Sequence, residues 1–169
     1  MNHYPKSDIV FGIIKNNKKR VILQARYATR SRFSMCHEYK GSCLCGAVSY
    51  VVNGFNEKAA NCHCSMCRKF HGAAFGTLVG VSGLNWLSGH ENLKEFVAVN
   101  GTVRTFCQEC GSSLGFRVKG APSSEMELAI ATFDEAIPVE IDAHIYIDYK
   151  ADWCKLQDNL SKFGEGRVA

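Results

Sequence analysis

At residues 61–69 the chain reads Asn61-Cys62-His63-Cys64-Ser65-Met66-Cys67-Arg68-Lys69. A loop of this length can wrap three thiolates around one metal ion. A zinc site with three protein ligands keeps a fourth coordination position for water or substrate, which distinguishes catalytic zinc from structural zinc. His63 could supply the fourth ligand and close the site. In an extended segment, however, its side chain points away from those of Cys62 and Cys64, so an open site is favoured.

Two cysteine pairs flank this cluster, in Cys43-Leu44-Cys45-Gly46 and in Cys107-Gln108-Glu109-Cys110-Gly111. We expect the first pair to lie on an extended strand, where residues two apart share a face and can bind one ion together. The second pair has the Cys-x-x-Cys-Gly sequence of a zinc knuckle, a tight turn in which two thiolates converge. Two such pairs complete a closed tetrahedral site. The sequence alone leaves open which cysteines share an ion.

The number of cysteines, nine in 169 residues, favours metal binding over disulfides or redox catalysis. The apolar run near the start, Ile9 to Ile14, is shorter than the core of a signal peptide and too short to span a bilayer. Disulfides rarely persist without export. No βαβ pattern surrounds Cys107 and Cys110, which argues against a thioredoxin-like role. We therefore expect a cytoplasmic protein with no membrane association.

The net charge of +4 is concentrated in residues 1–35, which contain eight Lys or Arg and one acid. We expect these residues to form a basic extension, followed by a zinc domain over residues 36–165. A poorly ordered tail and a translation artefact upstream of a start at Met35 are the favoured interpretations, with an organelle-targeting peptide as the third. Because the excess of positive charge lies outside the main domain, we do not expect that domain to bind nucleic acid.

The pattern from Tyr39 onward is mainly β, because short runs rich in Val, Ile, Phe and Tyr alternate with turn residues such as Asn53-Gly54 and Asn100-Gly101. Two short helices are predicted, one after Cys67 and one over residues 152–160. The predicted strands are Ala47–Val52, Phe75–Val81, Phe96–Val99, Thr102–Phe106, Leu114–Val118, Met126–Thr132 and Ala143–Tyr149. The fold class is therefore mainly β, with hairpins and zinc-binding turns.

The order and spacing of the three cysteine clusters resembles the glutathione-dependent formaldehyde-activating enzyme family, which includes centromere protein V. The resemblance covers roughly Tyr39 to Trp153 and extends to Gly72-Ala73-Ala74-Phe75 and Ala143-His144-Ile145. It implies a β-tent fold of twisted antiparallel sheets and two zinc ions per chain. It also implies the ligands: Cys43, Cys45, Cys107 and Cys110 for a structural zinc, and Cys62, Cys64 and Cys67 for a catalytic zinc.

The activity that the resemblance implies is formation of S-(hydroxymethyl)glutathione from formaldehyde and glutathione. It fits a soft three-thiolate site, because a thiol must lose its proton to bind the metal. We therefore expect a zinc-dependent carbon–sulfur lyase or synthase whose partners are glutathione, or a similar small thiol, and an aldehyde. Arg68 and Lys69 adjoin the open site and are either anchors for glutathione carboxylates or ordinary surface charges.

A second hypothesis is a non-enzymatic zinc module that binds a macromolecular partner, with the basic extension supplying phosphate contacts. The remaining cysteines, Cys36 and Cys154, lack cluster partners and are expected to lie outside the metal sites. His144 matches a family position, and we expect it to make a structural hydrogen bond.

Overall fold

The computed structural model describes residues 37–56 and 58–167. The strands in these ranges are β1 (Tyr39–Ser42), β2 (Ser49–Val52), β3 (Gly54–Phe55), β4 (Ala59–Cys62), β5 (Gly76–Ser82), β6 (Asn85–Ser88), β7 (Leu93–Val97), β8 (Val103–Cys107), β9 (Ser113–Arg117), β10 (Glu127–Ala129), β11 (Ile141–Ile145) and β12 (Ser161–Lys162). Helix α1 spans Ser65–His71, and 3₁₀ turns occupy His90–Asn92, Ile130–Thr132 and Ile147–Tyr149. Within the described ranges, no helix has the length and apolar character needed to cross a membrane. The predicted basic extension and Cys36 lie outside the described residues.

The strands form a small sheet and a large sheet. The small sheet has the order β1-β2-β6, and the large one has the order β12-β11-β4-β5-β10-β9-β8-β7, with β3 added against β5. Pairing is antiparallel except at β11, which runs parallel to both β4 and β12. The prediction of a mainly β fold is confirmed.

A buried apolar cluster joins the two sheets. Tyr50 and Val52 of the small sheet belong to the same cluster as Val79 and Leu128 of the large sheet. The Tyr50 hydroxyl lies 2.7 Å from Thr132 Oγ1, so this buried phenol keeps a hydrogen-bond partner. A Cβ at position 41 would lie 2.2 Å from the Tyr50 ring, which explains why glycine occupies that position.

Strand β4 was not predicted, because Ala59-Ala60-Asn61-Cys62 contains no β-branched or aromatic residue. All four of its residues are buried, between β5 on one side and β11 on the other. Its small side chains suit this crowded central position. Tertiary packing, which local sequence does not report, therefore defines this strand.

The predicted helix over residues 152–160 is wrong, since the structure has only turns and irregular chain there. None of these residues is buried, so a helix in this segment would have no apolar face against the core to stabilise it. Two predicted strands also end early: β10 and β11 both pass into 3₁₀ turns, at Ile130 and Ile147 respectively.

Replacing Leu128 by alanine should destabilise the fold by about 2–5 kcal/mol, because the side chain is fully buried between the sheets. Urea unfolding followed by circular dichroism measures this change. The matched control is Leu87→Ala on β6, where the side chain is 54% exposed, and we expect a change within about 0.5 kcal/mol. Equal losses from the two variants would contradict the core described above.

Candidate metal centres

The first cysteine cluster assembles from two distant turns. Cys43 and Cys45 follow β1, whereas Cys107 ends β8 and Cys110 lies in the turn after it. The prediction that the first pair lies on a strand is wrong: the Gly46 amide donates to the Cys43 carbonyl at 3.0 Å and closes a turn. Gly46 adopts a positive φ of 74°, which favours glycine.

The geometry of this four-cysteine cluster fits a tetrahedral zinc ion. All four sulfur atoms lie within 4.8 Å of one another. The Cys43 and Cys45 sulfurs are 3.5 Å apart, and those of Cys45 and Cys107 are 4.0 Å apart. Zinc–sulfur bonds of about 2.3 Å in a tetrahedron place the sulfurs about 3.8 Å apart. A disulfide would instead require about 2.05 Å. The cluster can therefore hold a metal ion.

The second cluster is built at the junction of β4 and α1. Cys62 ends the strand, Cys64 caps the helix and Cys67 lies in its first turn. The Cys67 amide donates to Cys64 Sγ at 3.4 Å. The three sulfurs lie within 4.8 Å of one another, and no further His, Cys, Asp or Glu in the described part of the chain joins them. The arrangement offers three ligands and leaves room for a fourth.

Hydrogen bonds within the second cluster favour one thiolate. Contacts with the thiols of Cys62 and Cys67, reinforced by the charge of Arg104, lower the pKa of Cys64 well below its usual range. Arg104 lies on β8, is buried, and directs both Nη atoms at Cys67 Sγ, each at 3.6 Å. The three thiols therefore lie beside a buried cation.

His63 points away from the three thiols and into a buried polar chain. Its Nε2 lies 2.7 Å from Nδ1 of His144, whose Nε2 lies 2.9 Å from the Asp158 carboxylate. Burial lowers the pKa of His63 to about 4, with help from the nearby charge of Lys150. The carboxylate accepts from His144 Nε2, and Nδ1 of His144 accepts from His63 Nε2. This series of hydrogen bonds connects the cysteine loop to the segment after β11.

A cavity of about 600 Å³ opens beside the second cluster, and Cys62 forms part of its wall. We call it the Cys62 cavity. Lys58, Arg117 and Arg167 supply positive charge to its lining, and Glu125 and Glu127 supply negative charge. Arg68 and Lys69, considered above as either anchors or ordinary surface charges, do not line it. The Arg68 guanidinium donates to the His63 carbonyl at 3.3 Å, and Lys69 is exposed.

Tyr146 lines the Cys62 cavity in a strained backbone conformation. Its φ of 57° is positive, and no other non-glycine residue among those described has a positive φ. Such conformations cost free energy and often occur at functional sites. Burial raises the pKa of Tyr146. The phenol therefore keeps its proton at neutral pH and can donate a hydrogen bond.

Comparisons with known proteins identify the family of this chain. A model of the glutathione-dependent formaldehyde-activating enzyme family matches residues 38–149. The chain belongs to this family. An uncharacterised lyase of Schizosaccharomyces pombe is 26% identical over 126 residues, which cover 75% of this chain and 90% of the relative. A crystal structure of a Rhodobacter sphaeroides protein is 27% identical, with a TM-score of 0.49, and covers 59% of this chain and 91% of its own.

Sequence reasoning missed Arg104, Tyr146 and Asp158. Arg104 had a recognisable signal, since it interrupts the otherwise uncharged run Val103-Arg104-Thr105-Phe106 and must point either to solvent or to a buried partner. Tyr146 and Asp158 had none, because their roles depend on where the C-terminal segment folds back against β11.

Replacing His144 by leucine should destabilise the protein by about 1–3 kcal/mol, because the buried His63 Nε2 loses its hydrogen-bond partner. Chemical unfolding at neutral pH measures the loss. His90 is exposed in the turn before β7, so the control His90→Leu should change stability by no more than about 0.5 kcal/mol. A His144→Leu protein as stable as the unmodified protein would argue against the buried hydrogen bonds between His63, His144 and Asp158.

Proposed function

We propose that the chain is a zinc-dependent carbon–sulfur lyase or synthase that acts on a glutathione–aldehyde adduct or a similar small thiol conjugate. In the synthetic direction, the thiol sulfur forms a bond to the aldehyde carbon, and the carbonyl oxygen gains a proton. The lyase direction reverses both changes. The observation that carries the proposal is the three-cysteine cluster beside the Cys62 cavity, with Cys62 itself forming part of the cavity wall.

Two zinc ions per chain fit the two clusters. We assign the four-cysteine cluster to a structural ion, since all four positions are filled, and the three-cysteine cluster to a catalytic ion. An ion held by Cys62, Cys64 and Cys67 supplies an open position that favours the thiolate form of a substrate. Cysteine thiols that are not paired in disulfides persist in a reducing compartment, which supports a cytoplasmic location.

The lining of the Cys62 cavity suits a zwitterionic thiol. Lys58, Arg117 and Arg167 can attract the carboxylates of glutathione, and Glu125 and Glu127 can attract its ammonium group. This lining replaces Arg68 and Lys69 as the main candidate for substrate binding. Phe116 and Ile145 add apolar wall, which limits the access of water to the reacting atoms.

Tyr146 is our candidate donor to the aldehyde oxygen. It lines the cavity, and its raised pKa keeps the O–H donor present at neutral pH. A hydrogen bond from this phenol would stabilise the negative charge that develops on the oxygen as the sulfur–carbon bond forms.

Elemental analysis should find two zinc ions per chain, and cysteine variants should distinguish the two sites. Cys64→Ser should fold, keep one zinc and lose activity. Cys107→Ser should lose stability throughout, because binding of a structural ion is coupled to folding. Cys154 lies outside both clusters, so Cys154→Ser should keep two ions. If Cys64→Ser and Cys107→Ser unfolded to the same extent, the division into structural and catalytic sites would be wrong.

Adduct formation and breakdown can be followed by NMR with glutathione and formaldehyde, with the uncatalysed reaction subtracted. We expect acceleration by the zinc-loaded protein and a decrease of about a hundredfold to a thousandfold for Tyr146→Phe, as for the loss of an oxyanion donor. The control is Tyr149→Phe, since the Tyr149 hydroxyl donates to Glu165 and the residue does not line the cavity. No acceleration with any thiol and aldehyde tested would contradict the proposed function.

A further inference from the structure

Arg104 is a buried cation whose charge is not matched by a carboxylate. Only 4% of the residue is exposed, and no ion pair to an acid is present for it within residues 37–56 and 58–167. Its guanidinium lies 5.4 Å from the Phe70 ring centre and 5.0 Å from that of Phe116. A buried charge is costly unless a counter-charge lies beside it. Cys67 Sγ, 3.6 Å from both Nη atoms, is the group in position to provide one.

The four-cysteine cluster has a different surrounding. The hydrogen bonds to its sulfurs from outside the cluster involve neutral groups: the Val48 amide donates to Cys43 Sγ at 3.3 Å, and Ser112 Oγ lies 3.3 Å from Cys110 Sγ. In the described part of the chain, Arg104 is the cationic side chain that hydrogen-bonds to a sulfur of either cluster, and it does so at the three-cysteine cluster. The positive charge is therefore specific to the cluster that borders the cavity.

We propose that Arg104 is a positioning residue that sets the charge of the three-cysteine site and thereby makes it accept an anionic thiolate as the fourth ligand. This inference rests on the metal site of the proposed function. Three thiolates around a divalent ion carry a net charge of about −1, which repels a further anion. The guanidinium offsets that charge through its contact with Cys67. A thiolate then binds with less electrostatic opposition, whereas a neutral ligand gains little from the cation.

The experiment uses the full chain with cobalt in place of zinc, because sulfur-to-cobalt charge-transfer absorption reports each new thiolate bond. Two ligands are titrated at fixed pH and ionic strength: 2-mercaptoethanol, which binds as a thiolate, and imidazole, which binds as a neutral molecule. The variants are Arg104→Met, which removes the charge, and Arg104→Lys, which keeps it. The control is Lys94→Met, which removes a charge from an exposed position on the neighbouring strand β7.

For Arg104→Met we expect the dissociation constant of 2-mercaptoethanol to rise about tenfold or more, with a change below about twofold for imidazole. For Arg104→Lys, the increase in the logarithm of the 2-mercaptoethanol dissociation constant should be less than half of that for Arg104→Met. Lys94→Met should have the same dissociation constants as the unmodified protein. If Arg104→Met does not load cobalt, the same titrations on Arg104→Gln, which keeps a neutral donor near Cys67, replace it.

Equal binding of 2-mercaptoethanol by the unmodified protein and the uncharged variant would overturn the inference and leave the proposed function standing. Equal weakening of both ligands would also overturn it, because the residue would then have only a structural role. Absence of any thiol binding to the unmodified protein would instead contradict the proposed function itself.

Discussion

Convergence of four sulfur atoms from opposite parts of the chain is the constraint on which the rest of the structure depends. Cys43 and Cys45 follow strand β1 of the small sheet. Cys107 ends strand β8 of the large sheet and Cys110 lies in the turn after it, yet all four sulfurs lie within 4.8 Å of one another. Thiols alone form only weak hydrogen bonds, so an ion at this position would act as a cross-link between the sheets. Trp86 packs against both this cluster and the main apolar core, which joins the two into one interior.

The second cluster depends on the large sheet in a different way. Strand β4 ends at Cys62, and the chain soon enters α1, so the three thiols lie at the end of an interior strand of the large sheet. β8 brings Arg104 next to the cluster, β11 brings His144 behind it, and the segment after β11 brings Asp158. Its electrostatic surroundings are therefore assembled from parts of the chain that are remote in sequence.

The difference between short-range and long-range information explains what could be predicted. Cysteine spacing marked two pairs and one group of three, the family resemblance implied that the two pairs share an ion, and the structure brings the same sets together. The members of each pair and of the group of three are close in sequence, whereas the two pairs meet only in the folded chain. Strands rich in Val, Ile and Phe were found, whereas β4 was missed because its small residues are selected by crowding. The charged residues of the cavity and Asp158 were missed because they approach the three-cysteine cluster only in the folded chain.

The Cys62 cavity takes part of its wall from outside the segment that defines the family. The family match ends at residue 149, whereas Gly166 and Arg167 line the cavity, and Asp158 closes the polar chain behind the cysteine loop. Part of the lining is thus encoded outside the stretch of sequence that carries the seven clustered cysteines. Under the proposed function, substitutions after residue 149 would alter the molecules that the cavity accepts while the thiol framework is retained.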